Sequence, residues 1–251
     1  MKTTQSDKWQ VTSDRMAAVE REARSGHALV VSRLVSGFTL IELLVVISII
    51  GGLAAMIFPV MGAVKRHQYI NTAKAQLGQL ETAIAGYKDA LGFYPPDNAA
   101  NPMVNQLYYE LVGVTNSGSK YTTLDGNSSI NVSDVPTAFP GVGGFVNCSK
   151  PGSNEESGGG KNFLHELKPG QTQTINTNGV TVTVLTTSVG GPDGAYNPLG
   201  MTGVNPWRYK SSRALTNNPG AFELWVQLSI GGKNYLVCNW NKQPQVNNPL
   251  P

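Results

Sequence analysis

Apolar and polar positions divide the 251-residue chain into stretches of different chemistry. From Leu43 to Val64 no side chain is charged over 22 positions, and twelve of them are Leu, Ile, Val or Phe. Each such residue contributes about −0.3 to −0.6 kcal/mol near a bilayer centre, so the run favours insertion by about 4–7 kcal/mol. At about 1.5 Å per helical residue it is long enough to cross the hydrocarbon core. The pattern predicts a transmembrane helix half over residues 38–64; a buried core helix, the other reading, is usually shorter. Residues 65–91 are apolar at Ile70, Ala73, Leu77, Leu80, Ile84, Tyr87 and Leu91. Steps of three and four give a helix with one apolar face. Gly92 and then Pro95-Pro96 supply the stop. The spacing therefore predicts one long helix from Phe38 to about Leu91. Its amphipathic half, 65–91, packs on the chain's own sheet; a short coiled coil is the competing arrangement. Pro59, with Gly51 and Gly52 upstream, predicts a bend.

Beyond Gly92 the chain changes character. Residues 92–251 hold 20 of the 21 Asn, 21 of the 28 Gly and 14 of the 15 Pro, which predicts many turns and few helices. Val180–Val189 alternates Val or Leu with Thr and reads as a strand. Phe222–Ile230 and Asn234–Trp240 flank Gly231-Gly232, a hairpin signal. Val104, Leu107, Tyr108 and Leu111 predict a helix over Pro102–Val112. Residues 113–179 read as long loops, with a turn of helix near Lys161–Lys168. The predicted fold class is α+β: a long N-terminal helix on a small antiparallel β-sheet with long loops. Residues 92–251 form a loop-rich globular domain with C-terminal antiparallel strands. Residues 1–37 show no sustained apolar period and read as a polar, mildly basic leader; a short amphipathic helix over Met16–Arg24 is the alternative.

Charge and composition narrow the chemistry. A net charge of +3, from 19 Lys+Arg and 16 Asp+Glu, speaks against a nucleic-acid binder. Two cysteines cannot build a metal-type cluster. The three histidines, at 27, 67 and 165, are scattered, and no G-x-S-x-G elbow accompanies them. Gly158-Gly159-Gly160-Lys161 lacks the spacing and the following Ser or Thr of a phosphate loop. The acids of 92–251 are dispersed. No catalysis is expected.

The most specific string is Ser36-Gly37-Phe38-Thr39-Leu40-Ile41-Glu42-Leu43-Leu44-Val45-Val46-Ile47. A glycine precedes a phenylalanine, an acid follows, and an unbroken apolar helix begins. The string resembles the N-terminal signature of type IV pilins and type II secretion pseudopilins, and GFTLIELLVVISIIGGLAAMIFP is similar to the family pattern across 23 residues. The resemblance implies cleavage after Gly37 by a prepilin peptidase and methylation of the new amine on Phe38. It implies a leader in the cytoplasm and residues 65–251 in the periplasm, beyond the inner membrane. The charge count leaves orientation open: Arg21, Arg24 and Arg33 stand against Lys65, Arg66 and Lys74. Gly37 lets the backbone enter a tight protease cleft. Glu42, one turn into the helix, is favoured by the helix dipole by about 0.3–1 kcal/mol. A mid-bilayer charge costs at least about 2.5–3.5 kcal/mol on insertion scales. An unpaired Glu42 therefore favours a partner, and the amine of Phe38 on a neighbouring subunit is one. An acid that only reaches toward the headgroups is the bland reading. An ordinary secretory signal, cut near Gly52-Leu53-Ala54, has a shorter apolar region than this one.

A second likeness refines the first. Tyr87-Lys88-Asp89-Ala90-Leu91-Gly92-Phe93-Tyr94-Pro95-Pro96-Asp97 resembles the helix exit of the major pseudopilin of type II secretion. Asn197–Gly200, Pro206–Tyr209 and Asn218–Trp225 are similar to its strand-and-loop region. By themselves Trp207, Tyr209 and Trp225 read as core anchors. Major pseudopilins commonly hold calcium in a C-terminal loop, and calcium takes six to eight oxygens with several carboxylates. Between Gly190 and Phe222 the sole acid is Asp193, so neither a calcium site nor any other cofactor is expected. Cys148 and Cys238 would lie on the exported side, where disulfides persist. A bridge closing about 90 residues would stabilise by up to about 4–5 kcal/mol in the chain-entropy model; two separate thiols are the equal alternative. The family's partners are the membrane, other copies and other pseudopilins, the prepilin peptidase and secretion-platform membrane proteins. A single-pass, membrane-anchored binding module is the alternative function.

Overall fold

The computed structural model describes residues 37–149, 159–189, 197–212, 215 and 217–247, and within them only the backbone of 57–61. Residues 1–36 of the leader, Asp193 and the Gly158 end of the glycine run lie outside the described residues. The chain divides into two units, Met1–Ala54 and Ala55–Pro251. Helix α1 runs Leu40–Leu91. Up to Leu53 its side chains are exposed. Among the described residues, no helix is long and apolar enough to cross a membrane. Within the uncharged run Leu43–Val64, side chains are described at 43–56 and 62–64.

In the second unit Ile70, Ala73, Leu77, Leu80, Ile84 and Tyr87 of α1 are buried and Leu91 is half-buried. Polar groups tie the same helix down. Gln76 Oε1 accepts the Thr187 hydroxyl at 2.9 Å and the Ser188 amide at 3.2 Å, while its Nε2 donates to the Ser188 hydroxyl. Gln79 Oε1 accepts from Gln171 Nε2 at 2.8 Å. The helix ends at Gly92, whose φ of 87° is the left-handed conformation a C-terminal cap requires, its amide reaching Lys88 O at 2.7 Å.

The strands form two four-stranded sheets and a separate hairpin, more sheet than the single small one expected. The first contains β1 (Val114–Asn116), β2 (Lys120–Thr123), β3 (Ser129–Asn131) and β4 (Cys148–Ser149), in the order β3-β2-β1-β4. Its β1–β4 pair is parallel. The hairpin joins β5 (Thr172–Thr177) and β6 (Val180–Leu185) across Asn178-Gly179, both with positive φ. The last sheet is antiparallel, β10-β9-β8-β7, built from β7 (Arg208–Lys210), β8 (Glu223–Ile230), β9 (Lys233–Cys238) and β10 (Asn241–Val246). Gly231-Gly232 turns β8 into β9, with Ile230 opposite Lys233. The described chain is thus α+β.

Several expected elements are shorter or absent, each for a local reason. The helix over 102–112 is confined to α2, Leu107–Val112. Asparagine side chains occupy the backbone before it: Asn98 Nδ2 donates to Val104 O at 2.6 Å, Asn101 Oδ1 accepts the Met103 amide at 3.0 Å, and Asn105 Oδ1 accepts the Leu107 amide at 3.1 Å. Such bonds compete with helical ones. Strand β6 stops at Leu185 because Thr186 bridges to Pro206 and the next two residues turn to Gln76. Residues 161–168 are not helical. Lys161 is held through both backbone groups by Asn147, and the Phe163 amide donates to Leu111 O at 2.8 Å. Among its described residues the stretch 113–179, expected as loops, holds five strands together with a 3₁₀ turn, Val132–Asp134, and a short helix α3, Val135–Ala138.

Candidate processing and assembly site

Thr39 stands immediately before the first residue of α1, and Glu42 follows three residues later. Thr-x-x-Glu is the pattern of a capping box, in which the two residues satisfy each other's backbone N–H groups. Both halves are made: the Glu42 amide donates to Thr39 Oγ1 at 3.3 Å, and the Thr39 amide donates to Glu42 Oε2 at 2.9 Å. The Thr39 hydroxyl also donates to Glu42 Oε2, at 2.7 Å. Two of the N–H groups that a helix start leaves open are thus closed. Both donors fall on Oε2, and Glu42 Oε1 has no partner among the described residues. The first charged side chain of α1 is therefore aimed by its own cap, with one oxygen left over.

Phe38 is 75% exposed. At Gly37 an added Cβ would meet nothing within 4 Å, so the fold itself makes no demand for glycine there. Gly37, Phe38 and Glu42 are brought together at one exposed helix start, and Thr39, which the sequence reading passed over, links them. Its signal, Thr39-Leu40-Ile41-Glu42 ahead of an apolar run, was present in the string.

The other sequence candidates fall elsewhere. Cys148 lies in β4 and Cys238 in β9, strands of different sheets, and both are free thiols. The bridge between them is not formed. His67 and His165 are exposed. Among the described residues no group of three or more His, Cys, Asp or Glu is placed to hold a metal ion. Trp207, Tyr209 and Trp225 are buried, and the Tyr209 hydroxyl donates to Pro95 O at 2.8 Å, tying β7 to the exit of α1.

One buried acid escaped the sequence reading. Glu110 in α2 is fully buried and meets three donors: the Val146 amide at 2.9 Å, the Asn147 amide at 3.0 Å and the Tyr87 hydroxyl at 3.0 Å. Burial pushes its carboxyl above the ordinary carboxylate range, against the lowering effect of those bonds. It joins α1, α2 and the approach to β4, which is a structural task.

Residues 32–58 match the family described as the prokaryotic N-terminal methylation motif. The chain carries a prepilin-type N-terminus. It is 37% identical over 86 residues to the fimbrial protein EcpC of Eikenella corrodens, an alignment covering 33% of this chain and 56% of that protein. The chain thus spans about half the length of the curated relative it matches. No solved structure matches it.

Proposed function

We propose that the chain is the precursor of a pilus-like filament subunit, and within that class a pseudopilin of type II protein secretion. Cleavage after Gly37 frees the amine of Phe38, which is then methylated. Residues 38–64 anchor the subunit by a single pass in the inner membrane, and residues 65–251 face the periplasm. The role is structural, without catalysis, cofactor or nucleic acid; the partners are other copies and pseudopilins, the prepilin peptidase and membrane proteins of the secretion platform. The likeness of Tyr87–Asp97 to a major pseudopilin's helix exit supports the choice within the class.

The observation that carries the reading is the coincidence of the methylation motif with an exposed helix start whose acid keeps one oxygen free. In a low-dielectric surrounding an acid with a free oxygen gains from a cation. The Phe38 amine of an adjoining copy supplies one, and methylation leaves its charge in place. Repeating the pair along the helices sets their axial register. The test combines two measurements. Mass spectrometry of the mature protein should find methylated Phe38 as the first residue. Glu42→Gln should still fractionate with membranes yet no longer form filaments. A retained leader, a mature start beyond Ala54, or undiminished filaments from Glu42→Gln would each refute the reading; a membrane-anchored binding module would form no filaments, and changing Glu42 would have little effect on it.

A further inference from the structure

Three Asn-x-Ser triplets occur in the chain: Asn127-Ser128-Ser129, Asn131-Val132-Ser133 and Asn147-Cys148-Ser149. Asn-x-Ser is the acceptor pattern for N-linked glycosylation, which requires an exported chain and a surface position. The fold separates the three sharply. Asn147 is 3% exposed, and its amide nitrogen donates to Glu110 O at 2.7 Å and Lys161 O at 2.6 Å. A sugar on that nitrogen would break the clamp that replaces helix at 161–168. Asn131 is exposed, but it closes β3 opposite Lys120, its amide nitrogen bonded to Asp134 Oδ2 at 2.7 Å, and Ser129 stands two residues before it.

Asn127 differs from both. It is exposed on the turn between β2 and β3, beside Gly126, where an added Cβ would meet nothing within 4 Å. One amide hydrogen reaches Asp125 Oδ2 at 3.0 Å, and the other has no partner among the described residues. Asp125, two residues before the acceptor, is anchored by the Tyr108 hydroxyl at 2.9 Å. It gives this triplet alone an acid at that position, a charge that a basic group on a transferase can read.

We propose that Asn127 is an N-glycosylation acceptor for an oligosaccharide carried on a polyprenyl diphosphate. A membrane oligosaccharyltransferase would make the transfer on the exported face. The Asn127 amide nitrogen bonds to the anomeric carbon, the bond from that carbon to the diphosphate oxygen breaks, and its electron pair leaves with the lipid diphosphate. One amide proton passes to a base of the transferase; nothing is oxidised or reduced. The proposal rests on the export of residues 65–251 in the reading above.

The test uses the full chain in a bacterium that carries such a transferase, its lipid-linked donor and a prepilin peptidase, with a known acceptor protein as control. Tryptic cleavage after Lys120 and Lys161, the Lys150–Pro151 bond being resistant, releases all three triplets on one peptide, so fragmentation mass spectrometry reads them together. The expected result is one glycan, on Asn127, abolished in Asn127→Gln, lost or strongly reduced in Asp125→Asn, and retained in Asn131→Gln. An exported, processed chain that stays bare while the control is modified overturns the site alone, as does a glycan on Asn131 or Asn147 instead. A chain that external protease cannot reach in spheroplasts refutes the export reading and takes this site with it.

Discussion

Thr39 and Glu110 each show how much can hang on one polar group. Replacing an N-terminal capping Thr by Ala costs a helix about 0.5–2 kcal/mol. Thr39→Ala should therefore fray the first turn of α1, seen as faster amide exchange at residues 40–43 in detergent micelles, with residues 70–87 unchanged. At Glu110, truncation to Ala would leave three donors unmatched, of which the two buried ones, the Tyr87 hydroxyl and the Asn147 amide, each cost about 1–3 kcal/mol. Chemical denaturation should show a loss larger than any one of those bonds. The pH dependence has a definite sign. Because the folded carboxyl is raised, the folded state holds its proton more tightly than the unfolded chain does. That contribution is complete below the ordinary carboxylate range and is lost as pH rises through the raised value. Wild type should weaken across that window, whereas Glu110→Gln, with no proton to release, should not. The Thr39-Leu40-Ile41-Glu42 box could be read from four adjacent letters. Glu110 could not, since its partners stand 23, 36 and 37 residues away.

The elements that the sequence pattern located are those long enough to show a period. Helix α1 and the β8–β9 hairpin each repeat their spacing often enough to be recognised, and Gly92 and Gly231-Gly232 mark their ends. Strands β1 to β4 have two to four residues each, too few for an alternation to register. What defines them is partner geometry. Gly113 illustrates this: its φ is 76°, and an added Cβ would lie 2.8 Å from Lys161 O and 3.1 Å from Asn147 Nδ2. Gly113→Ala should cost at least about 1–3 kcal/mol through backbone strain, before counting the clash. The measurement is the midpoint of thermal unfolding, with Gly179→Ala as a comparison: that site also has positive φ, but open space around it.

For the Ala55–Pro251 unit as a whole, the sulfur chemistry is decided by which strands meet. Cys148 is half-buried and Cys238 is 3% exposed. Reduction should leave the protein's mass and electrophoretic mobility unchanged, and a thiol reagent should label Cys148 well before Cys238 under native conditions. A mass gain of two hydrogen atoms on reduction would contradict the arrangement. Local strings were enough to read the apolar run, the amphipathic stripe, the Gly37-Phe38 and Glu42 signature and the C-terminal hairpin, because the physics involved — periodicity, capping, turn chemistry — acts between residues a few positions apart. The fate of the cysteines, the burial of Glu110 and of Asn147 and the two-sheet arrangement all depend on contacts between residues distant in the chain. No local pattern contains them, because burial is a property of what the rest of the chain places around a residue.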